Sequence, residues 1–233
     1  PIVIFGDTSQ DGSRYSDDPA NPSTNSARAF SLSGNDVIDA SGSLAGIVIY
    51  GGSGDDELTG SQEADLILGG SGSDLIHGLA GADHIYGDSA ININFDIDNF
   101  NQRASQVDGY GPVEISGRIS LRTDITDNLI DIVTSDFSSQ TNKDSLIVGN
   151  DEIYAGVGND IAFGDHGVID RVTVSYPDDF IISSTQNVSR IFSVAQGVGG
   201  MDIITASSGD NIVVAGSGAD QVTVGNDNDT VIG

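Results

Sequence analysis

The 233-residue chain has no cysteine, no tryptophan, one methionine and only eight lysine or arginine residues. Without cysteine it can build no disulfide framework, thiolate nucleophile or Cys-ligated metal centre. Thirty-five acidic residues face those eight cations, for a net charge of −27. Such a surface repels phosphate backbones and anionic bilayers, so neither nucleic acid nor membrane insertion is expected. No stretch is long and apolar enough to cross a bilayer as a helix. HExxH, GxSxG and GxxxxGK are all missing. The three histidines are His77, His84 and His166, too widely spaced for a zinc site. His77 and His84 fall at strand positions expected to face the surface. No enzyme is expected. There is no initiator methionine or signal peptide, and the chain is expected to be a piece of something longer or a processed product.

What the chain has instead is glycine and aspartate at a fixed period. From Gly51 to Tyr86 it repeats every nine residues: GGSGDDELT, GSQEADLIL, GGSGSDLIH, GLAGADHIY. Position six is always aspartate: Asp56, Asp65, Asp74, Asp83. Position eight is always a large aliphatic: Leu58, Ile67, Ile76, Ile85. The frame returns near the C-terminus with Asp202, Asn211, Asp220 and Asp229, each followed two residues later by Ile204, Val213, Val222 or Val231. A short fixed period predicts a solenoid. Each row divides into a glycine-rich turn and a short strand. Two rows make one turn of a flattened helix with two parallel sheets, all-β, with the eighth-position aliphatics stacked inside.

Parallel stacking sets successive turns about 4.8 Å apart. Asp56 then lies over Asp74, and Asp65 over Asp83 on the opposite edge. Two carboxylates at that distance repel by roughly 1 kcal/mol in water and by several in a less polar setting. No lysine or arginine occurs between residues 29 and 102 to offset this. The positive charge has to come from outside, and carboxylates with turn carbonyls suit Ca²⁺. High net charge often accompanies disorder. Here 37% hydrophobic content, arranged periodically, predicts order once cations bind.

These rows resemble the RTX, or haemolysin-type, calcium-binding repeat of secreted bacterial proteins, pattern GGxGxDxUx. The resemblance is strongest in rows 51–59 and 69–77. It implies a parallel β-roll with several Ca²⁺ ions between adjacent turns along both edges. It also implies ligand pairs: Asp56 with Asp74, Asp65 with Asp83, and Asp202 with Asp220. Asn211 with Asp229 is a weaker pair, one charge short. The row at Ser61, Gln62 and Glu63 lacks the glycines and is expected to bind less well. Asp36, Asp151 and Asp160 occupy the same position in more divergent rows.

A longer repeat punctuates the rows. Phe5-Gly6-Asp7, Tyr86-Gly87-Asp88 and Phe163-Gly164-Asp165 each end a run, and after each the nonapeptide frame breaks off. The expected map is the end of a row plus a polar loop (1–30), a first roll block (31–88), a strand-rich insertion (89–142), a short roll block (143–167), a second strand-rich insertion (168–196) and a C-terminal roll block (197–233). Alternating segments such as Ile91–Phe95, Ile115–Leu121, Val172–Tyr176 and Ile191–Val194 predict half-buried strands within the insertions. A second kind of metal loop is suggested by Asp7, Ser9, Asp11 and Asp18, in the spacing D-x-S-x-D-G-x₅-D of an EF-hand-like loop. No amphipathic helix flanks it.

Three function classes follow. The first is a structural or adhesive segment of an extracellular bacterial surface protein, rigidified by calcium and stacked end to end on other copies or neighbouring modules. The second is the non-catalytic secretion and folding tail of an enzyme or toxin. The third, an enzyme, has least in its favour.

Overall fold

The computed structural model of the chain describes residues 2–7, 34–93, 130–133, 147–171, 188–193 and 199–233. Among the described residues there are seventeen strands and no helix. In chain order they are β1 (Ile2–Phe5), β2 (Val37–Asp39), β3 (Ile47–Ser53), β4 (Glu57–Thr59), β5 (Leu66–Ser71), β6 (Leu75–His77), β7 (His84–Tyr86), β8 (Ala90–Ile93) and β9 (Ile130–Val133). They continue as β10 (Glu152–Val157), β11 (Ile161–Phe163), β12 (Gly167–Arg171), β13 (Val188–Ser193), β14 (Ile203–Ser208), β15 (Ile212–Val214), β16 (Gln221–Thr223) and β17 (Thr230–Ile232).

Two long parallel sheets form a β-roll. One runs β1-β3-β5-β7-β11-β15-β17, the other β2-β4-β6-β10-β14-β16. The chain alternates between them row by row, as a nine-residue period with two rows per turn requires. The insertions between rows leave the register intact. Ile85 pairs with Ala162 in one sheet and Ile76 with Ile153 in the other, each across the residues 89–146. The blocks expected separately are thus rungs of one continuous roll.

The interior is a stack of eighth-position side chains. Ile49, Ile67, Ile85, Ala162 and Val213 come from one sheet, Leu58, Ile76, Ile153 and Ile204 from the other, and all are fully buried. Burial of each large aliphatic contributes about 1.5–3 kcal/mol. The roll is thin, and Ile47, Ala155 and Ala206 complete this inner core.

The two sheets differ on their outer faces. On the smaller sheet positions seven and nine are polar or half-exposed, as with Glu57, Thr59 and Gln221. On the larger sheet the same positions are apolar and buried: Val48, Leu66 and Ile161 at seven, Tyr50, Leu68, Tyr86 and Phe163 at nine. Tyr86 and Phe163 stack, with ring centroids 4.8 Å apart. This corrects the expectation of a surface position for His84, which is buried; His77 is half-buried. Part of this face is covered. β12 and β13 form an antiparallel pair that sets Ile169 and Ile191 on this face. Gly167 lies flat against the Phe163 ring, where any side chain would collide with it. A second antiparallel pair, β8 with β9, leaves the roll beside β3 and β5. Of the segments expected to alternate, 91–95 and 191–194 overlap β8 and β13; 115–121 and 172–176 lie outside the described residues.

Candidate metal centre

Both edges of the roll carry a ladder of carboxylates built by one rule. Oδ1 of each sixth-position residue accepts the backbone N–H of the sixth-position residue one rung before it. On one edge Asp36 donates to Asp56, Asp56 to Asp74, Asp74 to Asp151, Asp151 to Asp202 and Asp202 to Asp220, at 2.8–3.1 Å. On the other edge Asp65 donates to Asp83, Asp83 to Asp160, Asp160 to Asn211 and Asn211 to Asp229, at 2.9–3.1 Å. The pairs Asp56/Asp74, Asp65/Asp83, Asp202/Asp220 and Asn211/Asp229 therefore stand on adjacent rungs. Asp36, Asp151 and Asp160 lie in the same two ladders. The second ladder begins at Ile47, whose N–H donates to Asp65 Oδ1. An aliphatic stands there because two extra residues separate Asp36 from the next row.

The other carboxylate oxygen, Oδ2, tests whether a cation fits. In Asp36, Asp83, Asp151, Asp160 and Asp202 it is buried and accepts no hydrogen bond. An anionic oxygen removed from water without a partner is costly unless a cation meets it. In Asp36, Asp83, Asp151 and Asp202 it faces a cradle of backbone. A Cβ built on Gly69 would collide with Asp74 Oδ2 and the Gly87 carbonyl; one on Gly87 would meet Asp151 Oδ2 and the Gly164 carbonyl. On the opposite edge a Cβ on Gly78 would meet Asp83 Oδ2 and the Ala155 carbonyl. The glycine in position one thus keeps open a space lined by oxygens of two rungs. No three His, Cys, Asp or Glu side chains among the described residues converge on one point, so turn carbonyls must complete any ligand set. Hard, purely oxygen ligands of this kind fit Ca²⁺. When bound, the ion supplies the positive charge that the rows lack.

Burial also raises the pKa of these groups while the cation is away. Asp83 is pushed up to about 8, Asp202 to about 7 and Asp160 to about 6, by desolvation first and by neighbouring aspartates second for Asp83 and Asp202. Asp151 is raised by the same two causes.

Two rows satisfy their carboxylates internally. Ser61 donates its N–H to Asp65 Oδ2 at 2.6 Å and its hydroxyl to Oδ1 at 2.8 Å. This is the row that has lost its glycines, and the serine does part of the work of a cation. In the last turn the Asn211 amide donates to the Gly209 carbonyl and to Asp229 Oδ1, both at 3.0 Å. That slot carries its own donor.

The EF-hand-like loop is divided by the boundary of the described residues. Ser9, Asp11 and Asp18 lie outside them. Asp7 belongs to the roll: its Oδ2 accepts the Ser53 N–H at 2.8 Å.

Sequence reasoning took Asp88 and Asp165 only as punctuation, yet both are buried on the first edge. They stand at position two of their rows. That position has positive φ in Gly52, Gly70, Gly156 and Gly216 and in Leu79 (φ 77°), but not in Ser61 or Ser207. At each of these aspartates the chain leaves the roll. The carboxylate then ties the exit to the return. Asp88 Oδ1 accepts the Gly149 N–H at 2.8 Å, and Asp165 Oδ1 the Gly200 N–H at 2.9 Å. The signal in the sequence was an aspartate where the pattern asks for glycine.

Stacked parallel rungs, an aliphatic file and two carboxylate edges define a metal-binding β-roll. A family profile, the RTX calcium-binding nonapeptide repeat, matches in four copies at residues 48–67, 59–93, 148–167 and 196–231. Over these stretches the chain is built of RTX repeats, and the ions that such repeats bind are calcium, several to a roll. Neither a curated protein nor a solved structure matches the chain.

Proposed function

We propose that this chain is a calcium-stabilised structural or adhesive segment of an extracellular bacterial protein, part of a rod, filament or surface layer, with no catalytic role. The observation that carries the reading is continuity. One hydrogen-bond register runs from β1 to β17 through every excursion, so the roll is a rod whose length grows with the number of rows. Among the described residues, β1 and β17 have a strand partner on one side only. They expose Ile2, Val231 and Ile232. Unpaired edges of a solenoid are natural docking points for further rungs. The partners proposed are other copies or neighbouring modules of the same protein, stacked end to end. Secretion is in keeping with RTX repeats, with calcium abundance outside the cell, and with cross-linking by metal in a chain that has no cysteine. No helix among the described residues is long and apolar enough to cross a membrane.

Electron microscopy and light scattering with and without Ca²⁺ test this. Elongated assemblies that form with millimolar Ca²⁺ and disperse in EGTA are expected. A strictly monomeric particle at high protein and calcium concentration would exclude end-to-end stacking and leave the adhesive and secretion-tail readings.

A further inference from the structure

The three second-position aspartates do not have the same surroundings. Asp7 Oδ2 accepts the Ser53 N–H and Asp165 Oδ2 accepts the Ser217 N–H at 2.6 Å, each from the following rung. Asp88 is fully buried, and its Oδ2 accepts no hydrogen bond. The rung that follows Asp88 is the one that carries Asp165. There the turn is itself interrupted after Asp165, and on its return the Gly200 N–H donates to Asp165 Oδ1.

Asp88 follows Gly87, whose α-carbon faces Asp151 Oδ2, and accepts the N–H of Gly149, two residues before Asp151, so its bare Oδ2 belongs to the same turn as that of Asp151. Asp151 Oδ2, from the sixth position of the same rung, is also buried and unbonded, and lies with the Gly164 carbonyl in the space kept open by Gly87. Asp88 is the charge that acts most strongly on Asp151. Asp165, Asp202 and Asp74 crowd Asp88 in turn. No lysine or arginine occurs in residues 147–167 or 199–233.

We infer that Asp88 and Asp151, with the Gly164 carbonyl, form a calcium site in which a second-position carboxylate joins the sixth-position one, a ligand outside the nonapeptide pattern. The inference rests on the calcium reading of the rows and adds to it. Because Asp88 is the last roll residue before the long excursion and Asp151 follows its return, one ion would clip both ends of residues 89–150 together. Closing a long loop through a metal is where such a clip restricts the unfolded chain most. A second carboxylate gives this slot more negative charge than a slot with the sixth-position aspartate alone, and affinity for Ca²⁺ rises with ligand charge.

The test is calcium titration calorimetry and equilibrium dialysis on the full chain, comparing wild type, Asp88→Asn and Asp165→Asn. Asp88→Asn keeps an oxygen for the Gly149 N–H. It should lose one ion, or weaken the tightest one by at least about tenfold. Asp165→Asn, whose oxygens already have donors, should leave ion number and affinity unchanged. In EGTA at neutral pH, Asp88→Asn should retain more β circular dichroism than wild type, because a neutral amide can be buried there without a cation or a proton. A merely structural Asp88 would give the opposite change. Equal ion number and affinity in Asp88→Asn and wild type would overturn this inference alone. A wild-type chain that takes up no calcium would overturn the calcium reading with it.

Discussion

The backbone N–H of Asp74 donates to Oδ1 of Asp151 at 2.8 Å, although 77 residues separate them in sequence. Asp56 reaches Asp74 by the same bond across 18 residues. The roll thus treats a long excursion and an ordinary turn alike. It can do so because the excursion starts at position two, outside the strand and before the sixth-position carboxylate.

Calcium removal should unfold the roll. The ion binds the native edges and not the extended chain, so it stabilises by mass action. In EGTA near neutral pH, loss of β circular dichroism and a larger hydrodynamic radius are expected, with both restored by millimolar Ca²⁺. Mg²⁺ should restore little, since it holds its waters and demands tight octahedral geometry. An unchanged spectrum and radius in EGTA would contradict the role given to both ladders.

Acid should substitute for calcium. In the calcium-free fold Asp160, Asp202, Asp83 and Asp88 are raised to about 6, 7, 8 and 9, from an ordinary value of 3.8. The groups around them are other aspartates: Asp65 and Asp160 near Asp83, and Asp165, Asp202 and Asp74 near Asp88. Between about pH 4 and pH 9 the folded chain holds protons that the unfolded chain has released. Calcium-free stability is therefore greatest near pH 4 and falls as pH rises through that window. Calcium binding needs the deprotonated form, so its stabilising effect should grow with pH. Thermal melts at pH 4.5 and 8, with and without EGTA, would show it. A calcium-free chain more stable at pH 8 would refute the assignment.

Damage at one slot should remain local. Gly69→Ala puts a methyl against Asp74 Oδ2 and the Gly87 carbonyl without touching the aliphatic file. It should cost one ion, as should Asp74→Ala. Hydrogen exchange should quicken in β4–β7 and hold steady in β14–β17, because solenoid contacts are between neighbours. Equal loss of protection at both ends would mean that the roll unfolds as one unit.

Asn211→Asp should convert a self-satisfied slot into a metal site. The amide that donates to Asp229 is lost, and a carboxylate is gained. The variant should bind one more ion than wild type, be less stable in EGTA and more stable in Ca²⁺. An unaltered ion count would show that the Asn211 slot is already filled, or closed for other reasons.

The aliphatic file gives a different kind of expectation. Ile76 is fully buried between Leu58 and Ile153. Ile76→Ala should cost about 2–5 kcal/mol, measured by denaturation in saturating Ca²⁺, because the parallel rungs cannot close on the cavity. Ion number should be unchanged.

The nine-residue period by itself determined that the chain forms a roll, that the eighth position faces inward, and that the sixth-position aspartates reach the two edges. Those conclusions need only strand alternation and the spacing of parallel strands, which are local properties. What only the tertiary structure decided depends on which rungs become neighbours. Asp74 meets Asp151, and Asp83 meets Asp160, across an excursion whose length says nothing about where it returns. His84 lies on the larger sheet, on the face that also buries Leu66, Tyr86 and Ile161, a difference between faces that the nonapeptide treats alike. Asp65 and Asn211 fit the pattern but have donors of their own, Ser61 and the Asn211 amide, visible only once the turns are closed. Asp88 stands where the pattern asks for glycine. Its bare oxygen belongs to the same turn as that of Asp151, which no count along the chain places there.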